Sequence, residues 1–256
     1  MKYRSLIALQ TILRKEITRF LRIWTQTLLP SAMTMTLYFI IFGRQIGSQI
    51  PAIHGVSYIQ YIAPGLVMMT IITNAWANTA ASFFGAKFSH SVEEMLVSSM
   101  PGYVMLLGYM LGGALRGILT GIIVTLIALC FTHFHIQHPV VVIAMAVLAS
   151  MVFALGGFIN ALFAKKFDDV SYIPTFVLTP LTYLGGVFYS IQKLPPFWQK
   201  LTLANPIYCI VSTFRYGMLG ISGISASSGF FLVTSLFLIL FVWCIILLNR
   251  GTGLRS

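Results

Sequence analysis

The sequence predicts an all-α membrane protein with six transmembrane helices, an N-terminal interfacial amphipathic helix and two short re-entrant outer helices, both termini lying inside. Three observations predict it. Apolar residues make up 58% of the 256-residue chain and charged residues only 8%, where a soluble domain carries roughly 25% charged residues. Mean hydropathy is +0.90. The apolar stretches run unbroken instead of alternating, which argues against a transmembrane β-barrel. Together these exclude a soluble enzyme, a disordered chain and a disulfide-stapled secreted module.

Residues 1–22 form the interfacial segment, and 23–256 form a single transmembrane domain. On a helical wheel Leu6, Leu9, Leu13, Ile17, Phe20 and Trp24 fall within about 80°, with Lys15, Arg19 and Arg22 opposite. Such a helix lies in the headgroup region with its basic face toward anionic lipid. The first span is Ile23–Phe42, and about 20 residues at ~1.5 Å each cross one hydrocarbon core. The second span, Tyr58–Phe83, carries Asn74, Asn78 and several small residues, so one face packs on protein or lines a path.

A polar link, 84–102, follows. Within it Ser91-Val92-Glu93-Glu94 reads as a helix start, with Met95, Leu96 and Val97 continuing it for about two turns, too few to span. The third stretch, Tyr103–Phe131, carries Gly108-x-x-x-Gly112 and Gly113-x-x-x-Gly117-x-x-x-Gly121, spacings that let helix backbones approach closely. Arg116 sits on it. Placing the bilayer portion at 113–132 puts Arg116 near the headgroups, as an interface anchor or paired with a partner or lipid. His133, His135 and His138 precede the fourth span, Val140–Phe163, and read as interfacial histidines because no acid lies nearby in sequence to complete a metal site.

Lys165, Lys166, Asp168 and Asp169 make a charged inner link, with Asp168 and Asp169 a possible second contact for a cytoplasmic partner. The fifth span, Tyr172–Tyr189, holds Pro174 and Pro180 and is kinked or broken. Then Leu194-Pro195-Pro196-Phe197-Trp198 opens one short helix. Asn205-Pro206 opens another, with Asn as cap and Pro at the first helical position. Neither can cross. A Gly/Ser-rich loop, 220–229, leads to the sixth span, Phe230–Leu248. With both termini inside, only Arg44, Lys193, Lys200 and Arg215 of the 16 Lys and Arg lie outside, and all five acids lie inside.

The chemistry is defined largely by exclusion. No acid falls within a span, which disfavours an ion-coupled secondary transporter, the alternative reading. No G-x-x-x-x-G-K-[ST] phosphate loop occurs, so ATP-driven transport requires a separate nucleotide-binding subunit. Gly220-Ile221-Ser222-Gly223 resembles a serine-protease motif, but no span supplies a His base. No enzyme activity is expected of this chain.

The residues that carry a family resemblance run nearly end to end. They are the basic segment 14–20, the link Glu93-Glu94-Met95-Leu96-Val97-Ser98-Ser99-Met100-Pro101, and Leu181-Thr182-Tyr183-Leu184-Gly185-Gly186-Val187-Phe188-Tyr189. Leu194-Pro195-Pro196-Phe197-Trp198 follows, then Asn205-Pro206-Ile207, Arg215 and Gly220. The chain thereby resembles the permease subunit of type II ABC exporters. The resemblance implies a homodimer of permeases in the bacterial inner membrane, in contact with membrane lipids and no nucleic acid. Two ABC ATP-binding subunits would bind ATP and Mg, this chain holding no cofactor. It implies that 91–99 is a coupling helix contacting the ATPase through Ser91, Glu93, Glu94, Met95 and Leu96. Gly185, Gly186, Pro195, Pro196, Trp198, Asn205, Pro206 and Arg215 would belong to an outer gate at 194–215. The substrate expected is amphipathic, lipid-linked or drug-like.

Overall fold

The computed structural model of the chain describes residues 2–253 apart from 48, 54, 98, 99, 134 and 222. For residues 2–4, 44 and 96 it describes the backbone alone. Ser98, Ser99, Ser222, the tail from 254 and the Leu96 side chain therefore lie outside the described residues. Among those residues there are helices and one isolated bridge, Ile53 to Val56, but no strands.

The order is α1 (Lys2–Arg22), α2 (Trp24–Thr27), α3 (Leu29–Tyr38), a π-helical turn (Phe39–Ile46), α4 (Tyr58–Phe88), α5 (Ser91–Val97) and α6 (Gly102–Phe131). Then come α7 (Pro139–Phe163), α8 (Phe167–Ile173), a second π-helical turn (Pro174–Leu178), α9 (Thr179–Tyr183), α10 (Pro196–Leu203), α11 (Pro206–Leu219) and α12 (Ala226–Asn249).

Four helical stretches are long and apolar enough to cross a membrane: Trp24–Gly43, Gly102–Phe131, Pro139–Phe163 and Ala226–Asn249. They correspond to the first, third, fourth and sixth expected spans. The other two expected spans differ for distinct reasons. α4 runs for 31 residues, so length is not what sets it apart. It carries Gln60, Asn74, Asn78 and three threonines, and it is buried on most of its surface by α6 and α7. A helix surrounded by protein does not need a lipid-compatible surface. The fifth is interrupted by the turn at Pro174, and the helix that follows ends at Tyr183.

Glycines bring α4 close to its neighbours. A Cβ on Gly113 would meet Thr79 and Ala75, one on Gly117 would meet Ile71 and Ala75, and one on Gly121 would meet the Ile71 side chain. On the other side, Gly156 and Gly157 of α7 admit Trp76. Two apolar cores divide along α4. One gathers around its first half with Phe39, Met145, Val187, Ile210 and Phe214. The other gathers around its last turns with Phe83, Met105, Leu106, Leu155 and Phe158.

α1 packs on α6 rather than standing apart. Its buried residues are Ile12, Glu16 and Phe20, while Leu6 and Trp24 are exposed. The buried stripe is thus rotated by about 60° from the one hydropathy marks. Gly108 and Gly112 explain the rotation. A Cβ on the first would run into Ile12 and one on the second into Glu16, so α1 beds where α6 has no side chains.

Candidate functional site

Three groups of polar residues stand out, and α4 passes all of them. The first is at the α5 end of the bundle. Val92 is 1% exposed and plugs α5 into the apolar core, with Met95 half-buried beside it. Glu93 and Glu94 point away and are exposed, and Ser91 is half-buried with its hydroxyl 3.0 Å from that of Ser89. His90, at φ 57°, turns the chain between α4 and α5, and its Nδ1 lies 3.2 Å from Glu93 Oε1. A short helix held by one buried side chain and carrying two acids outward is a tethered acidic surface.

Next to it, Phe167 contacts Phe84 and Phe88 with ring centroids 5.0 and 4.9 Å apart, joining α8 to α4. Lys87 Nζ donates to the carbonyls of Leu162 and Ala164, both at 2.9 Å. Burial, with Lys165 nearby, lowers its pKa. Asp169 Oδ2 accepts from the backbone N–H groups of Lys165 and Lys166, both at 2.9 Å. Those donors hold its carboxyl below the ordinary value. Asp169 is thus engaged in starting α8, whereas Asp168 is exposed and the freer of the two acids for an outside contact.

The second group is a buried seam between α1, α2, α4 and α6. Glu16 is fully buried. Its Oε1 accepts from Ser82 Oγ at 2.5 Å, and its Oε2 accepts from Arg19 Nη2 at 3.0 Å and Asn78 Nδ2 at 3.4 Å. Arg19 also donates to Asn78 Oδ1 at 2.8 Å. Arg116 reaches the same seam from α6, donating to Asn74 Oδ1 at 3.2 Å and to the Thr27 carbonyl at 3.3 Å. Asn74 Nδ2 donates to Ser31 Oγ at 3.1 Å. Arg116 therefore has partners within its own chain. Sequence reasoning missed the seam because Glu16 stood off the apolar stripe and was counted only as an inner acid. A signal existed. Asn74, Asn78 and Ser82 recur every four residues, one polar line along a helix otherwise apolar.

The third group is at the α11 end. Asn205 caps α11 by accepting from Ile207 N–H at 3.0 Å, and its Nδ2 donates to the Leu181 carbonyl at 2.6 Å. Pro196 and Pro206 occupy the first turns of α10 and α11, with Pro195 as the residue before α10. Trp198 stays exposed. Arg215 is 4% exposed. Its Nε donates to the Tyr61 carbonyl at 3.2 Å, Nη1 to the Tyr61 hydroxyl at 3.2 Å and Nη2 to the Gly186 carbonyl at 2.8 Å. Its guanidinium carbon stands 4.0 Å from the centre of the Tyr61 ring. Gly186 adopts φ 67°, a left-handed conformation that glycine takes without strain, and Gly185 packs under Ile207. The structure thus brings Gly185, Gly186, Asn205, Pro206 and Arg215 together. His138 stacks on Tyr216, and among the described residues no cluster of His, Cys, Asp or Glu suits a metal ion.

The arrangement is that of a membrane-embedded helical bundle with an acidic foot, not of a reaction centre. Residues 7–219 match the family model described as ABC-2 type transporter. The chain belongs to that family and is the permease subunit of a transporter. The matched region runs from α1 to the end of α11 and so takes in all three polar groups. Among relatives, the inner membrane transport permease YadH of Escherichia coli (strain K12) is 53% identical over 250 residues, 98% of each chain. Nodulation protein J of Neorhizobium galegae is 23% identical over 208 residues, 81% of this chain and 79% of that one. Nodulation protein J of Rhizobium leguminosarum bv. viciae is 23% identical over 185 residues, covering 72% and 71%.

Proposed function

We propose that the chain is the transmembrane half of an ATP-driven exporter of the bacterial inner membrane. It works as a homodimer carrying two ABC ATP-binding subunits, and it moves an amphipathic, lipid-linked or drug-like molecule outward. Family membership supports the dependence on an ATPase, and the name of the YadH relative supports the membrane. In this reading α4 and the α8–α9 run complete six spans, and the α5 end faces the cytoplasm. ATP and Mg sit on the partner subunits.

The observation that carries the mechanism is the tether of α5. Val92 is locked in the core while Glu93 and Glu94 face outward. An ATPase groove that binds these acids and moves on closing over ATP pulls on α5. The Val92 anchor passes that displacement to α4 and α6, whose core it shares. The bundle is then a two-state element biased by a ligand on another subunit. α10 and α11 close the outer end as re-entrant helices until the bundle rocks.

Charge reversal tests this directly. In the complex with its ATPase, Glu93→Lys combined with Glu94→Lys leaves the melting temperature of the permease unchanged, because both side chains are exposed. Transport driven by ATP hydrolysis is lost. Normal transport by the doubly reversed complex would remove the docking role from α5.

A further inference from the structure

We infer that the cavity beside Arg215 is a binding site for a single small negatively charged group, a halide or one carboxylate or phosphate. Arg215 carries a charge that no acid of this chain balances. Arg215 is buried, and the acceptors described around it, the Tyr61 carbonyl, the Tyr61 hydroxyl and the Gly186 carbonyl, are all neutral. The chain has only five Asp and Glu. Arg215 meets α4 at Tyr61, near its start. Glu16 meets the same helix at Ser82. These points are 21 residues apart on α4, roughly 30 Å at ~1.5 Å per residue. Glu93 and Glu94 come after the end of α4, and Asp168 and Asp169 follow Phe167, which packs on Phe84 and Phe88. No acid comes within ion-pairing reach of Arg215, and a buried cation far from any anion is costly.

Space for the missing charge adjoins it. A cavity of about 30 Å³ is lined by Arg215, Tyr61, Tyr208, Ser190 and Gln192, with Ile191, Ile221 and Gly223 completing it. About 10–15 Å³ admits one water, so this cavity takes a halide with a water, or two oxygens of an acid group. Its lining offers hydroxyl, amide and guanidinium donors, the set that binds anions. The approach is positive as well, since Lys193 directly follows Gln192 and no acid lies in the chain between Asp169 and the C-terminus. The group comes either from a free ion or from the acid of a larger amphiphile resting at the mouth.

The test uses the full-length protein in lipid-depleted detergent, with bromide as the probe. Sodium bromide raises the melting temperature of the wild-type protein in a saturable way. Crystals grown in bromide show an anomalous peak against the Arg215 guanidinium. Arg215→Gln removes the response. Ser190→Leu fills the cavity while keeping the arginine, and weakens bromide about tenfold or more. This second variant decides the matter if the first does not fold. Adding phosphatidylglycerol separates the two sources. A lipid acid in the site abolishes the bromide response of the wild-type protein, and a free ion leaves it intact. A bromide response that does not saturate, or one unchanged in the folded variants, would overturn the proposal.

Discussion

Two buried arginine sites sit on α4, one near each end, and they are built on opposite terms. At the α5 end Arg19 and Arg116 share a seam with the carboxylate of Glu16, and asparagine side chains complete their bonding. At the α11 end Arg215 is held by carbonyls, one hydroxyl and a ring face. They differ in burial, Arg19 being 31% exposed at its side chain and Arg215 4% exposed, and they differ in whether the balancing charge belongs to the chain. A site that carries its own counter-charge is a structural joint, finished once the protein folds. A site without one is left open to whatever anion arrives.

The sharpest way to break this comparison is to remove the inner counter-charge. Glu16→Gln leaves the half-buried Arg19 and Arg116 without a carboxylate and weakens the bonds that the buried carboxylate accepts from Ser82, Asn78 and Arg19. It is expected to destabilise by about 3 kcal/mol. The loss is read as a lower melting temperature of the purified protein, and adding Arg19→Met recovers part of it. Next in size is Tyr61→Phe, which keeps the ring over Arg215 but deletes one acceptor of a charged hydrogen bond. That change costs about 1.5–3 kcal/mol, and bromide offsets it, whereas bromide does nothing for Glu16→Gln. Such a difference in rescue, measured in the same melting experiment, is the comparison in its plainest form.

Asn205→Ala, which removes the cap of α11 and one bond to the Leu181 carbonyl, costs about 1 kcal/mol. Hydrogen exchange locates that loss at the α11 end, with α5 unaffected. The smallest effect is at Asp169. Its pKa lies below the ordinary 3.8 in the folded protein because two backbone N–H groups bind the carboxylate. A depressed acid contributes stability above its unfolded value, and that contribution disappears as pH falls through the folded value. The melting difference between the wild-type protein and Asp169→Asn is therefore full at neutral pH and fades as pH falls below about 4 toward the folded value.

Much of the bundle was legible in composition and periodicity. The apolar runs place the third and fourth spans to within a residue and the sixth to within four, since lipid-facing helices must be hydrophobic along their whole length. The capped start at Asn205 is equally open, because capping chemistry is local. The helix at Ser91 is placed but its cap is not, since Ser91 is its first residue and its hydroxyl lies 3.0 Å from that of Ser89. α1 was not, because hydropathy identifies the side chains that leave water but not the glycines of α6 that receive them. Glu16 was hidden for the same reason, since beyond Arg19 the partners that explain a carboxylate inside the bundle, Asn78 and Ser82, lie 62 and 66 positions along the chain. Arg215 could be assigned to an outer helix, but its isolation from every acid emerges only when α4 is laid out as a ruler between the two ends.

The two glycine ridges of α6 have a mechanical consequence. One ridge receives α1 and the other receives α4, so both seams are backbone against side chain with no intervening padding. Helices meshed at that distance cannot slide without collision. α1, α4 and α6 must travel as a single rigid lever. Bending is left to the places where the helical ladder is already irregular, the π-helical turns at Phe39–Ile46 and Pro174–Leu178 and Pro64 inside α4. Any stroke applied at the foot of the lever is thus carried along α4 as far as Pro64, one turn short of Tyr61 and the arginine beside it.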